Sequence, residues 1–189
     1  PAMVAFQHGA GGIAALLTSF VELTRERGDL LPVGQLSGVL GIVIGAATFS
    51  GSMVASAKLA SVMRQTPVIL PKHDWILVAV LVGIGSLGVL AVLAAGSALL
   101  YATLALILLS IILGVVFALR IGGADMPVLI SFLNATAGLA ASFCGIIIQN
   151  RLLIACGATV AASGSILTHV MCRAMNRNLL KVFGGGGGS

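Results

Sequence analysis

Charge is what this sequence has least of. Only 8% of its 189 residues are Asp, Glu, Lys or Arg, against 59% hydrophobic residues and a mean hydropathy of +1.16. A soluble domain of this size must cover its surface with polar side chains, and here there are too few. Between Trp75 and Leu119 there is no charged residue at all, enough chain for two membrane spans of about 20 residues each. Chemical motifs are equally scarce. No Walker sequence or metal-ligand cluster occurs, and the Gly122-Gly123 pair is too short and badly placed to cradle a phosphate. The three cysteines, Cys144, Cys156 and Cys172, fall in apolar segments without metal-ligand spacing and read as small core residues. The chain is therefore expected to bind no cofactor or metal by itself.

What charge there is leans basic, with a net +5 and a pI near 9.8. In a soluble protein that balance suggests nucleic acid. Here the basic residues sit at the ends of apolar runs, where they set topology, and nucleic-acid binding is set aside. The chain opens on Pro1 without an initiator Met or signal peptide and closes on Gly184 to Gly188 and Ser189. That tail reads as a flexible linker or fusion scar. Both ends look cut, and a piece of something larger is expected.

The fold class expected is an all-α polytopic membrane bundle with six transmembrane helices. Breakers place them at about 2–23, 33–64, 74–95, 98–120, 126–149 and 152–175. The second run is longer than a bilayer needs, so its Lys58 to Arg64 end is expected to project into water. Lys58, Arg64, Lys72, Arg120, Arg173, Arg177 and Lys181 fall on the side shared by both termini, while only Arg25, Arg27 and Arg151 fall on the other. The excess predicts that both termini are cytoplasmic, or in the matrix of a mitochondrion.

The first and fifth helices also match without gaps. Pro1 pairs with Pro127, Phe6 with Phe132, His8 with Asn134 and Gly12 with Gly138, and Ser50-Gly51-Ser52 echoes Ser163-Gly164-Ser165. This suggests a parallel two-helix repeat of the kind found in some transporters, although small residues recur in membrane helices anyway. The third and fourth helices are almost uniformly aliphatic. The other four carry small residues four apart, such as Ala47, Gly51 and Ala55 or Gly157, Ala161 and Ser165, and are expected to form the packed bundle, with Gly51, Gly138 and Gly164 at helix contacts.

Polar groups within the spans are the functional candidates. Ala5, His8, Gly12, Ala15 and Ser19 share one face of the first helix, and Ser131, Asn134, Gly138, Ala141 and Gly145 form the matching face of the fifth. His8 and Asn134 lie about two turns beyond their prolines, roughly 10 Å into the membrane, and His169 returns to a similar depth on the sixth helix. An imidazole is costly in lipid and titrates near neutrality, so it suits a proton relay. Asn134 can donate to and accept from a bridging water. Interhelical hydrogen bonding is the other reading for all three. Asp125, before Met126-Pro127, is well placed as an N-cap. His73 reads as a solvated loop residue.

Several motifs together resemble the beta subunit of proton-translocating NAD(P) transhydrogenase. They are Gly122-Gly123-Ala124-Asp125-Met126-Pro127-Val128, Ser131-Phe132-Leu133-Asn134, Thr48-Phe49-Ser50-Gly51-Ser52, the Pro67 to Pro71 loop, Ser163-Gly164, and Met171-Cys172-Arg173-Ala174-Met175-Asn176-Arg177. The resemblance runs in order along nearly the whole chain and stops at the terminal glycines. It implies an enzyme that transfers hydride between NAD(H) and NADP(H) in soluble domains, coupled to proton movement across a bacterial or mitochondrial inner membrane. It associates His8 and Asn134 with the proton path, and Asp125, Arg173 and Arg177 with coupling to the NADP(H) domain. It places Gly164 on a closely packed helix. It also implies further partners (alpha-type helices and the NAD(H) and NADP(H) domains), a dimeric parent enzyme, and no catalysis by this chain alone. His169 is not a position the family reserves for histidine. The rival readings are a small secondary transporter or channel built on the repeat, and a purely structural assembly module.

Overall fold

The computed structural model describes residues 1–25, 31–68 and 71–183, apart from the side chains of residues 180 and 181. Among these, α1 (Ala2–Arg25), α2 (Pro32–Leu59), α3 (His73–Leu93), α4 (Ser97–Arg120), α5 (Met126–Ile147) and α6 (Arg151–Ala174) are joined by short connections, and a last short helix, α7 (Leu179–Phe183), closes the described chain. Six of the seven are long and apolar enough to cross a membrane. Arg27 and the glycine tail, residues 184–189, lie outside the described residues.

Local sequence explains the boundaries. Pro32 occupies the first turn of α2, where a missing N–H costs nothing. Asn150 caps α6, its side chain accepting from Leu153 N at 3.1 Å. Gly96, at φ +60°, makes the turn between α3 and α4 in a backbone region that favours glycine. Three helices end in the same way. Val62 N donates to Ala57 O and Ser61 N to Lys58 O after α2; Asn150 N to Gly145 O and Gln149 N to Ile146 O after α5; Arg177 N to Cys172 O and Asn176 N to Arg173 O after α6. In each, the residue at positive φ is not glycine but Ser61, Gln149 or Asn176. These are Schellman closures that satisfy the last carbonyls.

The first closure corrects an expectation. α2 stops at Leu59, not near Arg64, and Lys58 does not reach water: it is 0% exposed. Its Nζ donates to the carbonyls of Ala118 at 3.0 Å, Leu119 at 2.7 Å and Ile121 at 2.7 Å. The end of α4 leaves carbonyls without helical partners, and an ammonium has the donors to meet them. His73 is likewise no solvated loop residue, since it begins α3 and is buried.

The packing centre is α2, which lies against α1, α4 and α5, while α6 packs mainly on α5 and α3 mainly on α4. The packed set therefore includes the aliphatic α4, contrary to the expected division. Gly114 of α4 leaves no room for a side chain beside the Ala47 carbonyl and Ser50 Oγ of α2. The buried hydroxyls of Thr103 and Ser110 return to Leu99 O and Leu106 O within α4, so that face is polar in composition yet internally satisfied. The first and last described residues lie at one end of the bundle. Ser56 Oγ donates to Ala2 O at 3.0 Å, and Phe183 packs on Phe117 and Phe132 with ring centroids 5.4 and 4.9 Å away.

Candidate functional site

The end of the bundle that holds the first and last described residues gathers most of the described ionisable side chains. Its centre is the connection from α4 to α5. Gly122 is extended, and a Cβ there would collide with the Gln65 carbonyl, so the segment lies directly on the chain that follows α2. Gly123 N donates to Gln65 O and Val68 N to Leu119 O, both at 2.9 Å. Gly123, at φ +59°, then turns the chain into a 3-10 turn, Gly123–Asp125, that delivers Asp125 to the start of α5.

Asp125 is at the N-cap position, but its side chain makes no capping bond. The carboxylate turns instead to Arg177, whose Nη1 donates to Oδ2 at 2.7 Å. Oδ1 is buried without a hydrogen-bond partner. The pair is partly sheltered, with the arginine and aspartate side chains 35% and 17% exposed. Arg177 reaches this position because the Asn176 closure reverses the chain immediately after α6. Arg173, one turn earlier, is exposed. Arg120 Nη1 meets Asp74 Oδ1 at 2.6 Å; here the arginine is buried, while the carboxylate is 79% exposed.

Within the spans, His8 and Asn134 are half-buried, and His169 is exposed on α6. No hydrogen bond joins any two of them. Next to His8, a Cβ on Gly9 would touch Met53 Cε and Ser52 Cβ, which puts this stretch of α1 on α2. Ser52 Oγ and Thr48 Oγ1 on that α2 face are buried without a hydrogen-bond partner among the described residues. The glycine face of α5 does not match the α1 face across a shared interface. Gly138 packs on Gly157 and Ala161 of α6, while Gly12 packs on Gly45 and Phe49 of α2. Gly164 lies against the backbone of Ala135, with a Cβ distance of 2.9 Å to its nitrogen. Gly51 faces Leu133 and the Gly114 carbonyl instead, so it is not the structural counterpart of Gly164.

The sequence reading passed over one polar node. Thr168 Oγ1 donates to Gly164 O at 2.7 Å and lies 3.1 Å from Ser131 Oγ, which donates to Gly164 O at 3.2 Å. The signal was the Ser-Thr spacing on facing helices, but attention went to the adjacent His169. A cavity of about 410 Å³ between α2, α3, α4 and α5 is lined by apolar side chains such as Val43, Leu77, Leu81 and Phe132, with Thr48 and Thr136 the only hydroxyls among the described residues that line it. Among the described residues no three His, Cys, Asp or Glu side chains gather. The arrangement offers an ion-pair latch at one end of the bundle and isolated hydrogen-bonding groups within it. It offers no nucleophile paired with a base.

A family model described as that of the NAD(P) transhydrogenase beta subunit matches residues 1–189. Two curated relatives from Rhodospirillum rubrum, one from a named strain, are both called NAD(P) transhydrogenase subunit beta. Each is 41% identical over 199 residues, covering 100% of this chain and 42% of the relative. The chain thus spans about two fifths of the length of the curated relatives it matches.

Proposed function

The chain belongs to the NAD(P) transhydrogenase beta subunit family, and on that premise we propose that its six helices are the proton-conducting membrane part of a proton-translocating transhydrogenase. The observation that carries the reading is the Asp125–Arg177 pair. It ties the α4–α5 turn to the end of α6, the two segments expected to meet an NADP(H) domain. The state of that domain would be transmitted through Asp125, Arg173 and Arg177. Opening or closing a partly sheltered ion pair changes the local energy by about 1 kcal/mol, enough to bias a two-state element when a bound domain adds its own contacts.

The proton itself would pass by His8, the titrating group, with Asn134 and intervening water as its hydrogen-bonded neighbour. Half-burial, and the absence of a hydrogen bond at either residue among the described residues, support this, because a relay group needs a free site for water. The unpartnered hydroxyls of Ser52 and Thr48 give such water polar contacts on the α1–α2 face. His169 is a weaker third candidate, because it is exposed on α6.

The hydride-transfer partners, NAD(H) and NADP(H), are assigned to other domains. The apolar cavity does not fit a dinucleotide, since its described lining offers no cation to a pyrophosphate. The enzyme would sit in a bacterial or mitochondrial inner membrane, with both termini on the cytoplasmic or matrix side. It would work as a dimer with alpha-type helices and the nucleotide domains, and this chain alone would be inactive.

The test is proton-coupled turnover of the assembled enzyme in proteoliposomes. Replacing His8 by Leu should abolish coupling, and near-normal coupling would sink the relay. Solute or ion flux through this chain alone would favour a small transporter or channel instead.

A further inference from the structure

Lys58 is fully buried, and its ammonium is committed to backbone. Its three contacts, to the carbonyls of Ala118, Leu119 and Ile121, account for the three donors an ammonium possesses. Nothing remains for a substrate, a carboxylate or a water. The positive charge faces the negative end of the α4 dipole, which offsets part of the cost of removing it from solvent.

The acceptors are informative because of where they lie. Ala118 and Leu119 belong to the last turn of α4, whereas Ile121 is already past its end and is followed by Gly122. One side chain therefore bridges the helix and the chain that leaves it. The same departing chain is held from a second direction, by Gly123 N on Gln65 O and by Val68 N on Leu119 O. Asp125 N then donates to Gly122 O at 3.3 Å, so the held residues lead directly into the turn that carries the carboxylate. Arg177 meets that carboxylate at the far end of the turn.

We propose that Lys58 is a positioning residue for Asp125: its ammonium fixes where the 122–125 turn leaves α4, and thereby where the Asp125 carboxylate meets Arg177. The functional half of this inference rests on the coupling role proposed for Asp125, and the geometric half does not. Lys58 touches neither the proton path nor Arg177. It acts through the backbone of Ile121 and Gly122.

Two measurements on the assembled enzyme test it. A nitroxide attached at Ala124→Cys, an exposed position, reports the mobility of the turn in a background whose accessible cysteines, Cys156 among them, are replaced by serine. Lys58→Met keeps the buried stem but removes the donors, and should convert the spectrum from restricted to mobile. Lys58→Gln retains N–H donors on a shorter stem and should give an intermediate spectrum; where the Met variant does not assemble, the Gln variant carries the same reading. Proton-coupled turnover should fall about tenfold in Lys58→Met, the scale expected for losing charged hydrogen bonds. It should fall similarly in Asp125→Asn, and no further in the double variant. An unchanged spectrum overturns the proposal. Losses that multiply in the double variant overturn it too, since they mark a general contribution to stability. If the turn is mobilised while Asp125→Asn keeps full coupling, the positioning stands and the coupling role of Asp125 fails.

Discussion

Gly138 and Gly157 stand face to face across α5 and α6, so that a Cβ built on either comes within 2.9 or 2.7 Å of the other's carbonyl oxygen. The contact is with backbone and cannot yield by a rotamer change. Since α6 packs mainly on α5, this crossing is a principal point of attachment for the helix that ends in Arg173 and Arg177.

Gly157→Val is therefore expected to destabilise the α5–α6 pair by about 1–3 kcal/mol, the usual cost of overpacking. The midpoint of thermal unfolding in detergent measures it. Gly11→Val is the control, because a Cβ at Gly11 meets nothing within 4 Å, and it should leave the midpoint nearly unchanged. Equal shifts for both would contradict the crossing.

The latch makes a second prediction. Asp125→Arg and Arg177→Asp should each depress proton-coupled turnover, because each juxtaposes like charges at the site of a 2.7 Å contact. Combined, they restore opposite charges and should recover part of the loss. A double variant no better than the worse single one would show that each residue acts through other partners.

Within the spans, exposure ranks the candidates. Asn134→Leu keeps the shape of a half-buried side chain but removes its amide and should lower coupled turnover strongly, whereas His169→Leu alters an exposed position on α6 and should lower it less. The ratio of turnover to passive proton leak in proteoliposomes separates the two, and the reverse order would shift the proposed path toward α6.

Six spans were legible because apolar runs and Pro or Gly breakers carry that information directly. The end of α2 was not. The run that begins at Pro32 continues in sequence to the charged Arg64, while the chain turns at Ser61, a residue that does not advertise a left-handed conformation. The burial of Lys58 is illegible for a related reason: its carbonyl acceptors lie 60 to 63 residues away, at and just past the end of α4, and no local pattern records them. The place of α4 was hidden because hydropathy does not distinguish a lipid-facing aliphatic side chain from one that faces protein. Asp125 and Arg177 were both singled out, yet the bond between them spans 52 residues and had no sequence signature.

The helix closures at Ser61 and Gln149 carry a practical consequence. Each holds an L side chain at φ +60° or +55°, where the Cβ crowds the following carbonyl. Glycine at Gln149, which lies at the opposite end of the bundle from the latch, should relieve that crowding and raise stability by up to about 1 kcal/mol, less the entropy glycine adds to the unfolded chain. A rise in the unfolding midpoint with coupled turnover unaltered would show that the protein carries removable strain at its helix ends, and that a more robust version can be made without touching the residues of the proposed proton path.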